Sequence, residues 1–380
     1  MQQIKTMLDD HSAQIDTPCY LYSLSRLREN FTALKAALGT QVILSVKANS
    51  NTDLMVRCTS FVNDGFEVAS IAELQTIVGG ERIRYVNNPS ADKKFLRSAI
   101  SGKARIIVDS LAQLDIVTEI AAKKPVAGII LRLNPVVLKQ FNDKHPKVRP
   151  DQFGMDWDTV CIAIERCKAN NLPLMGFHMF KGSYSFEKTA MATADAAIGI
   201  IAEFEQRFGQ SISFVNLGGG FGEKWQQSKF DFSAYREKLA QLPEHITLAH
   251  ESGRGLMASI GFFATRVRYT KQIEDLNYVI CDGGIAQNFL LAKTENTLRK
   301  LNTPALWQKE GHKEQPQVKA ACQFVGSSCS KDDVIGKQSD EHILPQPGDV
   351  MIFDNCGAYN ASYTVSPFLQ LPAATTYIIE

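Results

Sequence analysis

The chain has 380 residues, with 41 basic and 40 acidic side chains and a formal charge of +1, so it is too long for a single small module and offers no net field for nucleic acid or an anionic membrane; a small-molecule partner is expected. Eight cysteines without a CxxC pair argue against a zinc knuckle, any other metal site or a dense disulfide framework. The N-terminal "MQQIKTMLDDHSAQ" has no apolar h-region and nowhere do eighteen apolar residues run together, so a soluble, cytoplasmic protein with no membrane span is expected.

From residue 42 short β-branched runs alternate with polar turns and longer stretches of helical period. The predicted strands are VILSV (42–46), FEVAS (66–70), RIRYVN (82–87), RIIVD (105–109), GIILRLN (128–134), LMGFHMF (174–180), SFVNLGG (213–219) and TLAHES (247–252). Between them "IAELQTIVGG", "ADKKFLRSAIS", "SLAQLDIVTEIAAKK" and "DWDTVCIAIERCKANN" read as amphipathic helices, several opening on an Asp or Ser cap. Eight such units in about 210 residues fit an α/β fold of the (β/α)8 type, a TIM-like barrel, better than an open doubly wound sheet. The segment 136–154 is polar and aperiodic and holds two prolines, so it is predicted as a long loop after the fifth strand, either a mobile lid or a disordered excursion. After Arg254 the character changes to "FFATRVRYTKQ", "LNYVICDGG", "QVKAACQFVGSSC", "GDVMIFDNCGAYN" and "TTYIIE", read as strands, with helix confined to 291–301. The predicted domains are a barrel over 26–255 and a mainly β domain made of 1–25 and 256–380.

Chemistry in such barrels gathers at the C-terminal strand ends. Those ends carry Lys47, Glu67, Asn87 with Asn88, Asp109, Arg132, His178 with Phe180, Gly218 to Gly220, and Glu251 with Arg254. A lysine in a barrel mouth is costly to bury as a cation, so a lowered pKa and a nucleophilic amine fit for a Schiff base are expected. The structural alternative is a strand-end lysine reaching to solvent. "LGGGFG" (217–222) lets backbone amides approach an anion, although such a turn is more often merely a turn; after the seventh strand, with Arg254 beyond the eighth, it lies where barrels commonly hold phosphate. An aldehyde-accepting lysine with a phosphate cradle points to pyridoxal 5'-phosphate. Glu251 would then keep the pyridine nitrogen protonated; its structural alternative is an ion pair with Arg254.

With these residues the sequence resembles the fold-type III pyridoxal phosphate decarboxylases, which include the diaminopimelate, ornithine and arginine decarboxylases. The resemblance runs from "TPCYLYSLSRLREN" (17–30) to "GDVMIFDNCGAY" (348–359) and rests on "SVKANSN", "GFEVASIAEL", "LGGGFG", "ESGR", "FVGSSCSKDD" and "GAYNAS", in the family's order. It implies the alanine racemase-like two-domain architecture and a head-to-tail homodimer with shared active sites. By position it implies that Lys47 carries the cofactor aldehyde and Glu251 partners the pyridine. Gly219, Gly220, Gly253, Arg254 and Tyr359 become cofactor contacts, mainly to phosphate. Ser183 matches a serine that hydrogen-bonds the cofactor, and Cys329 a cysteine that enters from the second subunit and protonates the carbanion.

Departures from the family pattern carry the substrate information. Phe180 stands where a ring-stacking histidine is usual, with His178 two residues earlier; Ser252 replaces a proline and Gln152 a lysine. Ser330 stands where an acidic residue normally reads the distal end of the substrate. A free distal ammonium thus loses a charge-assisted partner worth about 1.5 to 3 kcal/mol, unless Asp332 or Asp333 replaces it; with Arg132 these are the candidate substrate contacts. The "HxFxGS" pattern at 178–183 and "DGGI" at 282–285 resemble a branch that decarboxylates amino acids attached to a carrier thioester or a citrate amide, as in siderophore biosynthesis. Diaminopimelate, lysine or ornithine is the alternative substrate. The related amino-acid racemases share "VKAN" but place an arginine at the pyridine nitrogen, against which Glu251 speaks. A binding protein that has lost catalysis is disfavoured by the presence of Lys47, Glu251 and Cys329.

Overall fold

In the computed structural model the first strand, β1 (Cys19–Ser23), is followed by eight parallel strands that close on themselves. These are β2 (Gln41–Ser45), β3 (Phe66–Val68), β4 (Arg84–Asn87), β5 (Arg105–Val108), β6 (Ile129–Leu133), β7 (Leu174–Met179), β8 (Phe214–Asn216) and β9 (Thr247–Ser252), with β9 returning to pair with β2. The structure describes residues 2–11, 15–77, 82–292, 301–365 and 368–380, and the chain divides into two units, Leu27–Leu256 and Met1–Arg26 with Met257–Glu380.

The eight barrel strands are the eight read from the sequence, most of them shorter. The seventh shows why: it ends at Asn216 because the Asn216 side-chain oxygen accepts the Gly218 N–H at 2.9 Å, and Gly218 turns out of the ladder at φ +74°. The intervening helices start where Ser and Asp stand. Ser70, Asp92, Ser110 and Asp156 each accept a backbone N–H three residues on, which satisfies a donor the first helical turn leaves open.

Side-chain alternation with a period of two sends one face of every strand into the barrel. Ile43, Tyr85, Ile107, Ile130, Phe214 and Ala249 form a buried cluster there. The Tyr85 and Phe214 rings stack with centroids 5.3 Å apart. The Arg105 guanidinium lies over both and donates to the Tyr85 hydroxyl at 2.7 Å. Glycines make room for the Tyr85 ring and for the backbone beside Phe214. A Cβ at Gly65 would stand 2.7 Å from the Tyr85 ring, and one at Gly176 2.0 Å from the Phe214 carbonyl oxygen.

Two residues further along each strand the same face is polar. Ser45, Glu67, Asn87, Asp109, Arg132, His178, Asn216 and Glu251 are contributed one per strand, and all are buried. The segment predicted as a loop over 136–154 begins with helical turns, Pro135–Val137 and Leu138–Phe141, because Asn134 caps Val136 N and Pro135 presets the backbone. Its far end is fastened to β6: Asn134 N donates to Met155 O at 2.8 Å and Met155 N to Arg132 O at 2.9 Å.

The other unit is built on β10 (Gly261–Ile273), β11 (Leu276–Cys281), β12 (Ala305–Trp307), β13 (Cys322–Val325), β14 (Val334–Gln338), β15 (Val350–Phe353) and β16 (Thr375–Ile379). The sheet runs β12-β15-β10-β11-β13-β14, with β1 pairing with β10 and β16. Ile4, Leu8, Leu21, Phe262, Trp307 and Ile352 share its core. Most of the helix expected over 291–301 falls in 293–300, outside the described residues. Among the described residues no helix is long and apolar enough to cross a membrane.

Because a methyl at Gly176 would meet backbone rather than a movable side chain, at φ +148°, Gly176→Ala should lose about 3 kcal/mol or more of stability. Urea unfolding reads this; a loss within about 0.5 kcal/mol would contradict the packing described.

Candidate active site

The polar layer divides into two hydrogen-bonded arcs. In the first, Lys47 stands in a 3₁₀ turn, Val46–Ala48, directly after β2, and its Nζ reaches both Glu67 oxygens at 2.7 and 3.0 Å. Asn87 Nδ2 donates to Glu67 Oε1 at 3.0 Å, and Arg132 Nη1 donates to Asn87 Oδ1 and Asp109 Oδ2, each at 3.0 Å. Asp109 also accepts the Gly154 N–H, and the Arg132 guanidinium lies 4.5 Å from the Phe153 ring centroid, so the 136–154 loop is tied to this arc. The Lys47 side chain is 45% exposed and paired with a fully buried carboxylate, so it is less buried than a lysine in a barrel mouth was expected to be. Arg132 Nε and Nη2 make no hydrogen bond among the described residues, which leaves part of a fixed, always charged fork open.

The second arc centres on Glu251, 5% exposed. Its Oε1 accepts from Asn216 Nδ2 at 2.9 Å and lies 3.1 Å from His178 Nε2, a contact too poorly aligned to count as a hydrogen bond. Burial works against ionising this carboxyl. The fields of His178, Lys47 and Arg132 outweigh it and hold the group below the usual carboxylate range. Oε2 accepts no hydrogen bond among the described residues, and the buried His178 Nδ1 is also without a partner there. Glu251 does not pair with Arg254, the alternative that three-residue spacing allowed.

The glycine turn lies against β7, β9 and the loop that follows β7. A Cβ at Gly218 would stand 2.1 Å from Met179 O, one at Gly219 2.0 Å from Glu251 O, and one at Gly220 2.7 Å from Gly182 O. Only glycine allows this approach. Gly253 and Arg254 follow β9, and the Arg254 guanidinium lies 5.2 Å from the Tyr184 ring centroid. Phe180 follows β7 directly, and Ser183 is exposed. Lys181 was not singled out in the sequence. Its Nζ donates to Leu217 O at 2.7 Å, and burial of the ammonium brings its pKa down to about 7 against the opposing pull of Glu251. Asn216 also escaped notice, although counting two residues on from Phe214 would have put it in the polar layer.

In the other unit Cys329 carries an exposed thiol outside any disulfide. Ser330 Oγ accepts the Asp332 N–H at 3.2 Å. Asp333 is different: it is buried, its Oδ1 accepts Ile285 N at 2.7 Å and its Oδ2 Ser328 N at 2.9 Å. Both oxygens hold the loop together, which removes Asp333 as a replacement partner for a distal ammonium. Tyr359 has a left-handed backbone, φ +68°, and an edge contact with Tyr363.

A family model described as "Pyridoxal-dependent decarboxylase, pyridoxal binding domain" matches residues 24–258. The chain is 27% identical over 368 residues to the diaminopimelate decarboxylase of Neisseria meningitidis serogroup B, covering 91% of this chain and 84% of that protein. It is 26% identical over 393 residues to the 2-[(L-alanin-3-ylcarbamoyl)methyl]-2-hydroxybutanedioate decarboxylase of Staphylococcus aureus, covering 98% and 96%. The fold matches the crystal structure of lysine/ornithine decarboxylase from Vibrio vulnificus with a TM-score of 0.79 at 19% identity, over 100% of this chain and 99% of that one.

Lys181 yields a pH-dependent stability. The folded state holds its proton less tightly than the unfolded chain does, so stability rises as pH climbs from about 7 towards the ordinary lysine value of 10.5. Lys181→Met should flatten that rise, read as a smaller gain in Tm between neutral and alkaline buffers than the parent shows. Equal slopes would mean that the ammonium is not confined as described.

Proposed function

Since the chain belongs to the family of pyridoxal-dependent decarboxylases, we propose that its two polar arcs hold pyridoxal 5'-phosphate and that it removes the α-carboxylate of an amino-acid moiety attached to a larger acyl scaffold. The enzyme is a pyridoxal phosphate-dependent amino-acid decarboxylase; the residue roles and the scaffold are our reading. The residues present fit the cofactor. Glu251 Oε2 is an acceptor held ionised and without another hydrogen bond among the described residues, and the glycine turn exposes backbone where a side chain cannot intrude.

When bound, the cofactor supplies an electron sink for the pair left behind by carbon dioxide. Lys47 Nζ is the amine assigned to its aldehyde, with Glu67 positioned to exchange a proton with that amine. Glu251 Oε2 would accept the pyridine N–H, and the ionised form favoured by His178, Lys47 and Arg132 would keep that proton on the ring nitrogen. Gly219, Gly220, Gly253, Arg254 and Tyr359 are assigned to the cofactor phosphate end, Ser183 to a hydrogen bond and Phe180 to the ring face. His178 is assigned to Glu251 rather than to the ring. In a homodimer with shared sites, Cys329 of the partner subunit delivers the proton to Cα.

The observation that favours the scaffold is the closed carboxylate of Asp333, which leaves Asp332 as the remaining one of the two acids named beside Ser330 for a free distal ammonium. The open nitrogens of Arg132 suit an extra carboxylate instead. The Staphylococcus aureus relative is named for a substrate of this kind, an alanine moiety joined through a carbamoyl link to a hydroxybutanedioate. Carbon dioxide release should be faster with such a citrate amide than with diaminopimelate, lysine or ornithine, and Lys47→Ala should abolish it. Preferred turnover of free diaminopimelate would refute the scaffold. Loss of optical rotation without gas would indicate a racemase.

Sharing of sites makes a separate prediction. Mixed subunits of Lys47→Ala and Cys329→Ala, each inactive alone, should recover about one quarter of the parent activity, since half the random dimers carry one intact site of two. No recovery on subunit exchange would refute the shared site.

A further inference from the structure

We propose that Asn216 is a positioning residue that locks the phosphate-binding turn to the pyridine-binding carboxylate, fixing the spacing between the two ends of the cofactor site. The inference rests on the roles assigned above to Gly219, Gly220 and Glu251.

Asn216 is fully buried at the end of β8. Its Oδ1 accepts the Gly218 N–H at 2.9 Å and its Nδ2 donates to Glu251 Oε1 at 2.9 Å. The orientation of the amide follows from its partners, because an N–H needs the oxygen and a carboxylate needs the nitrogen. The loop closes through the main chain: Glu251 N donates to Gly218 O at 3.0 Å, and Leu217 N to Ala249 O at 2.9 Å. Gly218 is therefore held at both its N–H and its C=O, one through the side chain that also grips Glu251 and one through Glu251 itself. With Gly219 in backbone contact with Glu251, the carboxylate cannot move without displacing the turn. A residue that merely capped β8 would need only the Oδ1 contact; the Nδ2 bond reaches 35 residues away to the buried charge.

The test titrates apoenzyme with pyridoxal phosphate and with pyridoxal, which lacks the phosphate, following protein fluorescence. Asn216→Leu removes both hydrogen bonds at similar volume. It should weaken pyridoxal phosphate roughly tenfold or more and shrink the ratio of the two affinities, because a freed turn no longer presents its amides to the phosphate. Its effect should also be non-additive with that of Glu251→Gln. Asn216→Asp keeps the acceptor for Gly218 and, while protonated, a donor to Glu251. Beside Glu251, with His178, Lys47, Arg132, Lys181, His250 and Tyr85 as charged or titratable groups around it, the variant should bind like the parent at low pH. It should lose affinity as its proton leaves on raising the pH, more steeply than the parent. This second variant decides the matter if the first fails to fold.

An Asn216→Leu protein with an unchanged affinity ratio, or an Asn216→Asp protein with the parent's pH dependence, overturns the proposal. Glu251→Gln and Arg254→Met are titrated alongside. If they weaken binding while the Asn216 variants do not, the coupling fails and the site assignment stands. If they too bind like the parent, the assignment fails and takes the coupling with it.

Discussion

A carboxylate taken almost entirely out of water must be held by charge and hydrogen bonds or it will neutralise. At Glu251 the barrel meets this requirement with one layer of side chains. Asn216 donates to it, His178 lies against it, and Lys47 and Arg132 supply positive field from the opposite arc. Those cations in turn need Glu67 and Asp109, which are also buried. The layer thus ties its charges into two arcs whose cations act on one buried carboxylate. Below it the Tyr85–Phe214 stack fills the barrel with rings and leaves one open end for chemistry.

That dependence explains the uneven legibility of the sequence. The barrel could be read because its strands are local, β-branched and separated by capped helices, as Ser70, Asp92, Ser110 and Asp156 show. Glu67, Asn87, Asp109, Arg132 and Glu251 could be placed at strand ends by counting. Their partners could not. Nothing in "FVNLGG" announces that Asn216 grips a residue 35 positions away, and nothing in "FKGS" announces that Lys181 turns to Leu217 O. The helical turns after β6 were missed because Asn134 and Pro135 look like ordinary loop residues until the side chain is seen to cap Val136 N. In the other unit β1 lies parallel to β16, with Cys19 opposite Thr375, a pairing no local pattern records.

Where sequence reasoning misplaced a role, the cause was the same. Ser330 stood where the distal end of the substrate would meet an acid, with Asp332 and Asp333 as its possible replacements. The backbone amides of Ile285 and Ser328 separate them by consuming Asp333. A buried acid whose oxygens are both taken by N–H groups is part of the scaffold, whatever its position in a motif. Arg132 is the converse case, a buried guanidinium whose hydrogen bonds to the layer run through one nitrogen.

Glu251 remains ionised because of its neighbours and despite its burial. Titrating side-chain carboxyls by carbon-13 NMR in labelled enzyme, with Glu251→Gln to assign the resonance, measures this directly. Glu251 should keep its charge to a pH below that of ordinary glutamates. A Glu251 resonance that takes up its proton at or above the normal glutamate range would contradict it.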